Sequence, residues 1–216
     1  MLLQCGIDGQ CDVQCIGPGG ENMKRWATSH ARPDGPVVLA GLAGALSPLC
    51  HAGSAYIAAL VVDETGEDSW TPTLTQPATA TADSPHGDIV ITSTQAPITG
   101  RLARQIVNRE TGGMLIDLES VAFALAAQKG AWPWWGVVRG VSDDLTTLLP
   151  EGVDEWVSDG GHTRWGHVMR SLLLRPQLIP RVLTMREHSI AAMRAVAGLL
   201  RSMLQLDADG AVPQAG

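Results

Sequence analysis

Residues 115–144 read LIDLESVAFALAAQKGAWPWWGVVRGVSDD, and this stretch decides the fold. It begins inside an apolar run, GGMLID, that stops at Asp117. An alanine-rich segment, ESVAFALAAQKG, follows with helical composition and ends at Gly130, a residue type that closes helices at no steric cost. A second apolar run, WWGVVRGVS, then ends at Ser142 and Asp143. Strand, helix and strand in immediate succession predict one unit of an α/β sheet.

Ligands of open α/β sheets bind outside the carboxyl ends of the strands. Both strands of this unit release acids there: Asp117 and Glu119 after the first, Ser142, Asp143 and Asp144 after the second. If the strands are parallel neighbours, the two acidic sets share one edge of the sheet. Plainer roles fit the same residues. Asp117 is a good N-cap, and Glu119 then sits in a first helical turn, where the dipole favours negative charge. Ser142 and Asp143 are also residues of turns.

Upstream, MLLQC and CDVQCI read as short strands joined by GIDGQ, and GPGGENMKRWATSH as a glycine turn opening a helix near Glu21. GPVVLAGLAGAL reads as a buried strand running into Gly41, Ala43 and Gly44, residues small enough for a flat ligand to lie against their backbone. SAYIAALVVD and DIVITS are further strands. ITGRLARQIVNRE is a helix with apolar residues at Ile98, Leu102, Ile106 and Val107. Residues 65–87, rich in Thr, Pro, Ala and Gly, read as a long surface loop. Downstream, helices are expected near 160–174 and 185–206. The alternation predicts a single α/β domain over residues 1–206, with a mostly parallel, mixed central sheet flanked by helices. A disordered tail is expected at 207–216.

Composition narrows the function. The 216 residues are 45% apolar, enough for one sizeable core. A formal net charge of -7 argues against a nucleic-acid partner. No apolar run reaches the roughly 18 residues of a membrane span. MLLQCGIDGQ lacks the features of a secretion signal, so a cytoplasmic protein is expected. Cys5, Cys11, Cys15 and Cys50 form no CxxC pair and read as reduced core or strand residues. Trp132, Trp134, Trp135 and Trp156 cluster, and core packing is the default for them. His162 and His167 are five apart, not the spacing of two ligands on one helix face, so no metal site is expected. The helix REHSIAAMRAVAGLLRSML is amphipathic and should pack on the sheet. The apolar 172–184, with Arg175 and Arg181, suits a peripheral membrane contact, although packing in a core or dimer is the commoner fate of such a stretch.

At these residues the sequence resembles the nucleoside phosphorylase and nucleosidase superfamily. There a strand ends in an acid-Met-Glu motif, an alanine-rich helix follows, and the next strand ends in Arg-x-x-Ser-Asp, as in LIDLES and RGVSDD here. GLAGALSPLCHAGSAYIA resembles the family's Gly-x-Ala-Gly-Gly-Leu stretch. The likeness runs roughly from residue 12 to 205 and is weakest at 63–87. The C-terminal DGGHTRWGHVMRSLLLRPQLIPRVLTMREHSIAAMRAVAGLL is similar to the hopanoid-associated branch, implicated in removing adenine from adenosylhopane.

The resemblance implies cleavage of the bond between ribose C1′ and a base nitrogen, with a small-molecule nucleoside as substrate, no cofactor and a homodimer. Asp143 would protonate the leaving purine, which calls for surroundings that favour the neutral acid, and Ser142 would orient it. Glu119 would hold the ribose hydroxyls and oppose the cation that develops on the sugar. Leu118 replaces the usual Met under the sugar, a swap that conserves volume. Gly41, Leu42, Ala43 and Gly44 would face the base, with Gln95–Ile98 as a second contact. Leu39 stands where related phosphorylases carry Arg, which favours water over phosphate as nucleophile, although the GPGG turn is suited to an anion. Gln10 falls where hydrolytic relatives place the Glu that activates water. A glutamine orients water but takes no proton from it, so a phosphorylase and a non-catalytic nucleoside-binding protein stand as alternatives.

Overall fold

In the computed structural model, residues 1–5, 11–30, 33–75, 88–146, 175 and 179–208 are described. Gln10, Trp156, His162, His167, most of 172–178, the expected helix near 160–174 and the tail from 209 lie outside them. The strands are β1 (Leu2–Cys5), β2 (Cys11–Gln14), β3 (Val37–Ala45), β4 (Ala55–Ile57), β5 (Leu60–Val62), β6 (Ser69–Trp70), β7 (Val90–Ser93), β8 (Leu115–Asp117) and β9 (Trp135–Asp143). The helices are α1 (Gly20–Ser29), α2 (Arg101–Thr111), α3 (Ser120–Lys129) and α4 (Ile179–Ala208). As expected, they form a single α/β domain around one mixed sheet.

The sheet curls until it closes. Its main path is β2–β1–β3–β8–β7–β5–β6, and β9 pairs with both β3 and β4. β4 and β5 are two halves of one extended stretch. The changeover falls at Ala58, whose N–H donates to Val137 O in β9, and Ala59, whose N–H donates to Ile89 O before β7, both at 2.9 Å. The ring β3–β8–β7–β5/β4–β9–β3 is therefore complete, and the short β2 and β6, at the two ends of the path, are each paired on one side alone.

One expectation changes here. β8 and β9 are not parallel neighbours: β3 lies between them, parallel to β9 and antiparallel to β8. The nine-residue β3 is long enough to pair β1 along its first half and β8 along its second, on the edge away from β9. Gly44 faces Ile116 across one edge and Asp143 across the other. The two acidic strand ends still meet the same stretch of chain, but from opposite sides.

β3 and β9 read as continuous apolar runs because both of their faces are covered. Val37, Leu39, Val137 and Val141 join a core with Met23, Trp26, Phe123, Trp132 and Trp135 under α1 and α3. Val38, Ala40 and Val138 point the other way, toward Val196 and Leu200 of α4. Trp132 and Trp135 are thus core residues, each edge-on to Phe123 with ring centres 5.6 and 5.9 Å apart. On α4, Ala192, Val196 and Leu200 recur every four residues and form its buried stripe. Gly140 admits that helix, since a Cβ there would come within 2.9 Å of Ala192 Cβ.

Two local readings are revised. The first part of the expected surface loop makes a short hairpin, β6 pairing antiparallel with β5, while 76–87 lie outside the described residues. On α2 the apolar stripe faces outward: Leu102 is 68% exposed, and the buried residue of the helix is Arg104. The helix ends as a glycine C-cap predicts, with Gly112 at φ 69° and its N–H on Asn108 O at 2.9 Å.

Candidate functional site

The site forms where β8, β3 and β9 meet. Asp117, the last residue of β8, is buried. One of its oxygens accepts the Ser120 N–H at 3.2 Å and the other accepts the Ser120 hydroxyl. It therefore caps the start of α3 from two residues before the N-cap position, which Glu119 occupies without a side-chain bond of its own to the helix. Asp117 also forms an ion pair with Arg139 of β9.

Arg139 crosses β3 to reach it. It stands beside Gly41 in the β3–β9 register, and a Cβ on Gly41 would lie 2.5 Å from its Nη1. The guanidinium also pairs with Glu119 Oε2 at 3.1 Å and reaches Ser120 Oγ at 3.4 Å. The other oxygen of Glu119 accepts the Gly19 N–H at 2.7 Å. Gly19, at φ 91°, is the N-cap of α1 in the GPGG turn. The anion-binding character read in that turn is thus directed at an internal carboxylate. Because Arg139 depends on the bare backbone at 41, Gly41→Ala should cost about 1–3 kcal/mol by overpacking. A lowered thermal midpoint would report it, and an unchanged one would mean the guanidinium moves aside freely.

Asp143 ends β9 on the other side of β3. It is 1% exposed and pairs with Arg104 Nη2 at 2.5 Å, a contact that lacks hydrogen-bond geometry at Oδ2. Its Oδ1 accepts the Ser142 hydroxyl at 2.6 Å, and that hydroxyl alternatively reaches Ala43 O at 3.3 Å. The polar neighbours of its carboxyl are thus a guanidinium and a hydroxyl donor. Arg104 lies over Gly44, where a Cβ would come within 3.0 Å of both terminal nitrogens. Gly41 and Gly44 therefore leave room for the side chains of two buried arginines.

Leu42 is exposed and Leu118 is half-buried. The segment Gln95–Ile98 follows β7, and Thr94 at its head donates its N–H to Asp117 O at 2.9 Å. The Gln95 side chain is turned away to Glu64 at 3.0 Å. β1 enters from its first residue: the Ala40 N–H donates to Met1 O at 2.8 Å. Burial, reinforced by Arg139, holds the Met1 ammonium below its ordinary range. The strands that flank Gln10 pair at Cys5↔Cys11, beyond the Gln4↔Val37 pair and so at the end of β3 remote from Gly41–Gly44. Of the cysteines, Cys15 and Cys50 are free thiols, and burial pushes Cys50 up to about 11.

Neither Arg104 nor Arg139 had a role assigned from the sequence, although Arg139 opens the Arg-x-x-Ser-Asp signature. Arg139 carried a signal, being a lone charge inside an apolar strand, which must find a partner if buried. Arg104 carried none. With Arg101, Gln105 and Asn108 it reads as a solvated helix face.

The fold, a closed mixed sheet flanked by helices, is shared with solved nucleosidases. The chain superposes on the 5′-methylthioadenosine/S-adenosylhomocysteine nucleosidase of S. pneumoniae, bound to a transition-state inhibitor, with TM-score 0.56 and 14% identity over 88% of this chain and 78% of that one. The Helicobacter pylori nucleosidase of the same name gives 0.54 and 14%, covering 88% and 77%. The futalosine hydrolase of Helicobacter pylori gives the same values. No family model and no curated protein matches the sequence.

Proposed function

We propose that the protein is a purine nucleosidase that hydrolyses the N-glycosidic bond of an adenosine-containing substrate. The observation that carries the reading is the placement of Glu119 and Asp143 on either side of Gly41–Gly44, each fixed by its own arginine. The fold shared with nucleosidases supports it. Asp143 gives its proton to a purine ring nitrogen as the electron pair of the C1′–N bond passes to the base. Glu119 holds the ribose hydroxyls and faces the cation that develops at C1′. Water then closes on C1′, and the proton it loses restores Asp143. Ser142 orients the acid, Leu118 lies under the sugar, and Gly41–Gly44 border the base.

Water is favoured over phosphate as nucleophile. Leu39 is buried in β3, and Glu119 already takes the Gly19 N–H of the turn suited to an anion. Gln10 is assigned no step. Adenosylhopane is the finer substrate reading, and it rests on the C-terminal resemblance. A homodimer fits the outward Leu102 and Ile106 of α2.

The test is the sugar product formed in phosphate-free buffer. Hydrolysis predicts free ribose, or ribosylhopane from adenosylhopane, at a rate that added phosphate leaves unchanged. Turnover that appears only with phosphate and yields a sugar 1-phosphate would make the protein a phosphorylase. Nucleoside binding by calorimetry with no product would make it a binding protein.

A further inference from the structure

Arg104 is buried at 1% exposure on a helix whose leucine and isoleucine face outward. Its guanidinium joins three separate segments. Nε–H donates to Ile98 O at 2.8 Å, Nη1–H donates to Ala45 O at 3.3 Å, and Nη2 meets Asp143 Oδ2 at 2.5 Å. These are the stretch before α2, the end of β3 and the end of β9. Stability alone accounts poorly for the arrangement, because a buried ion pair is often no more stable than apolar residues of the same volume. Asp143 meets Arg104 from α2 and the Ser142 hydroxyl from its own strand end, and it lies opposite Gly44 of β3. Arg139 is turned to Asp117 and Glu119.

We propose that Arg104 is a positioning residue for the protonation of the leaving base. It pins the Asp143 carboxyl at the end of β3. Through Ile98 it also fixes the Gln95–Ile98 segment relative to that acid. The inference rests on the nucleosidase reading of the site. Arg104 exchanges no proton itself: the proton passes from Asp143 to the base nitrogen as the C1′–N bond breaks, and the attacking water returns one. The chemistry separates this role from a merely structural one, since a 4-nitrophenyl riboside loses a phenolate that needs no proton.

The experiment compares purine release from adenosine with 4-nitrophenol release from 4-nitrophenyl β-riboside, for the wild type, Arg104→Met and Arg104→Lys. Thermal melts of each variant accompany the kinetics. Arg104→Met should lower kcat for purine release about 100-fold, while nitrophenol release stays within about threefold of wild type. Arg104→Lys, which keeps a buried cation, should recover part of the loss. Where Arg104→Met does not fold, Arg104→Lys gives the same comparison with a smaller difference. Equal losses on both substrates, or wild-type purine release by Arg104→Met, would overturn the inference and leave the nucleosidase reading standing. A wild-type protein that releases no purine would overturn both.

Discussion

Glu119→Gln is expected to lower kcat for purine release by about 100- to 1,000-fold, the usual loss when one preorganised electrostatic group is removed from a transition state. The substitution keeps the side-chain shape and an oxygen able to accept the Gly19 N–H. It removes the charge that opposes the developing ribosyl cation. It also turns an amide toward Arg139, which loses one of its two acidic partners but keeps Asp117. The fold should therefore survive with a modest fall in melting temperature, and the loss should appear in kcat more than in KM. Near-normal turnover by a folded Glu119→Gln variant would remove Glu119 from the chemistry.

The largest effect on stability is expected from Arg139→Met. Arg139 is the cation shared by Asp117 and Glu119, and its removal leaves two carboxylates side by side, one of them fully buried. Breaking a buried ion pair from one side typically costs about 3–5 kcal/mol, because the remaining charge stays without compensation. For a chain of this length that is a fall in melting temperature of roughly 6–20 °C. Neutralising the orphan should recover part of it, so Arg139→Met with Asp117→Asn is expected to melt above Arg139→Met alone. A double variant that melts lower still would mean that Asp117 matters chiefly as the partner of Ser120 at the start of α3.

The parts of this site that were legible in the sequence are those set by local pattern. The run ending at Asp117, the helix closed by Gly130 and the strand ending at Ser142 and Asp143 each lie within one short window, and the structure has them as β8, α3 and β9. The glycines at 41 and 44 were legible as open space, but not what fills it. That depends on side chains arriving from β9 and α2, which no periodicity in β3 encodes. Strand order was hidden for a similar reason. An adjacent strand–helix–strand unit suggests direct parallel pairing, whereas β3, far earlier in the chain, is inserted between β8 and β9 by tertiary closure of the sheet. Arg104 was hidden because a polar helix face and a buried ion-pair face look alike until the partner is known.

In the proposed reaction Glu119 and Asp143 serve one nucleoside. The most direct measurement is free adenine released from adenosine-bearing substrates in phosphate-free buffer by the wild type, Glu119→Gln and Asp143→Asn, each shown to be folded. Steady adenine release is expected from the wild type, with a loss of about 100-fold or more in both variants. Wild-type release no faster than that of Glu119→Gln would contradict the proposed reaction.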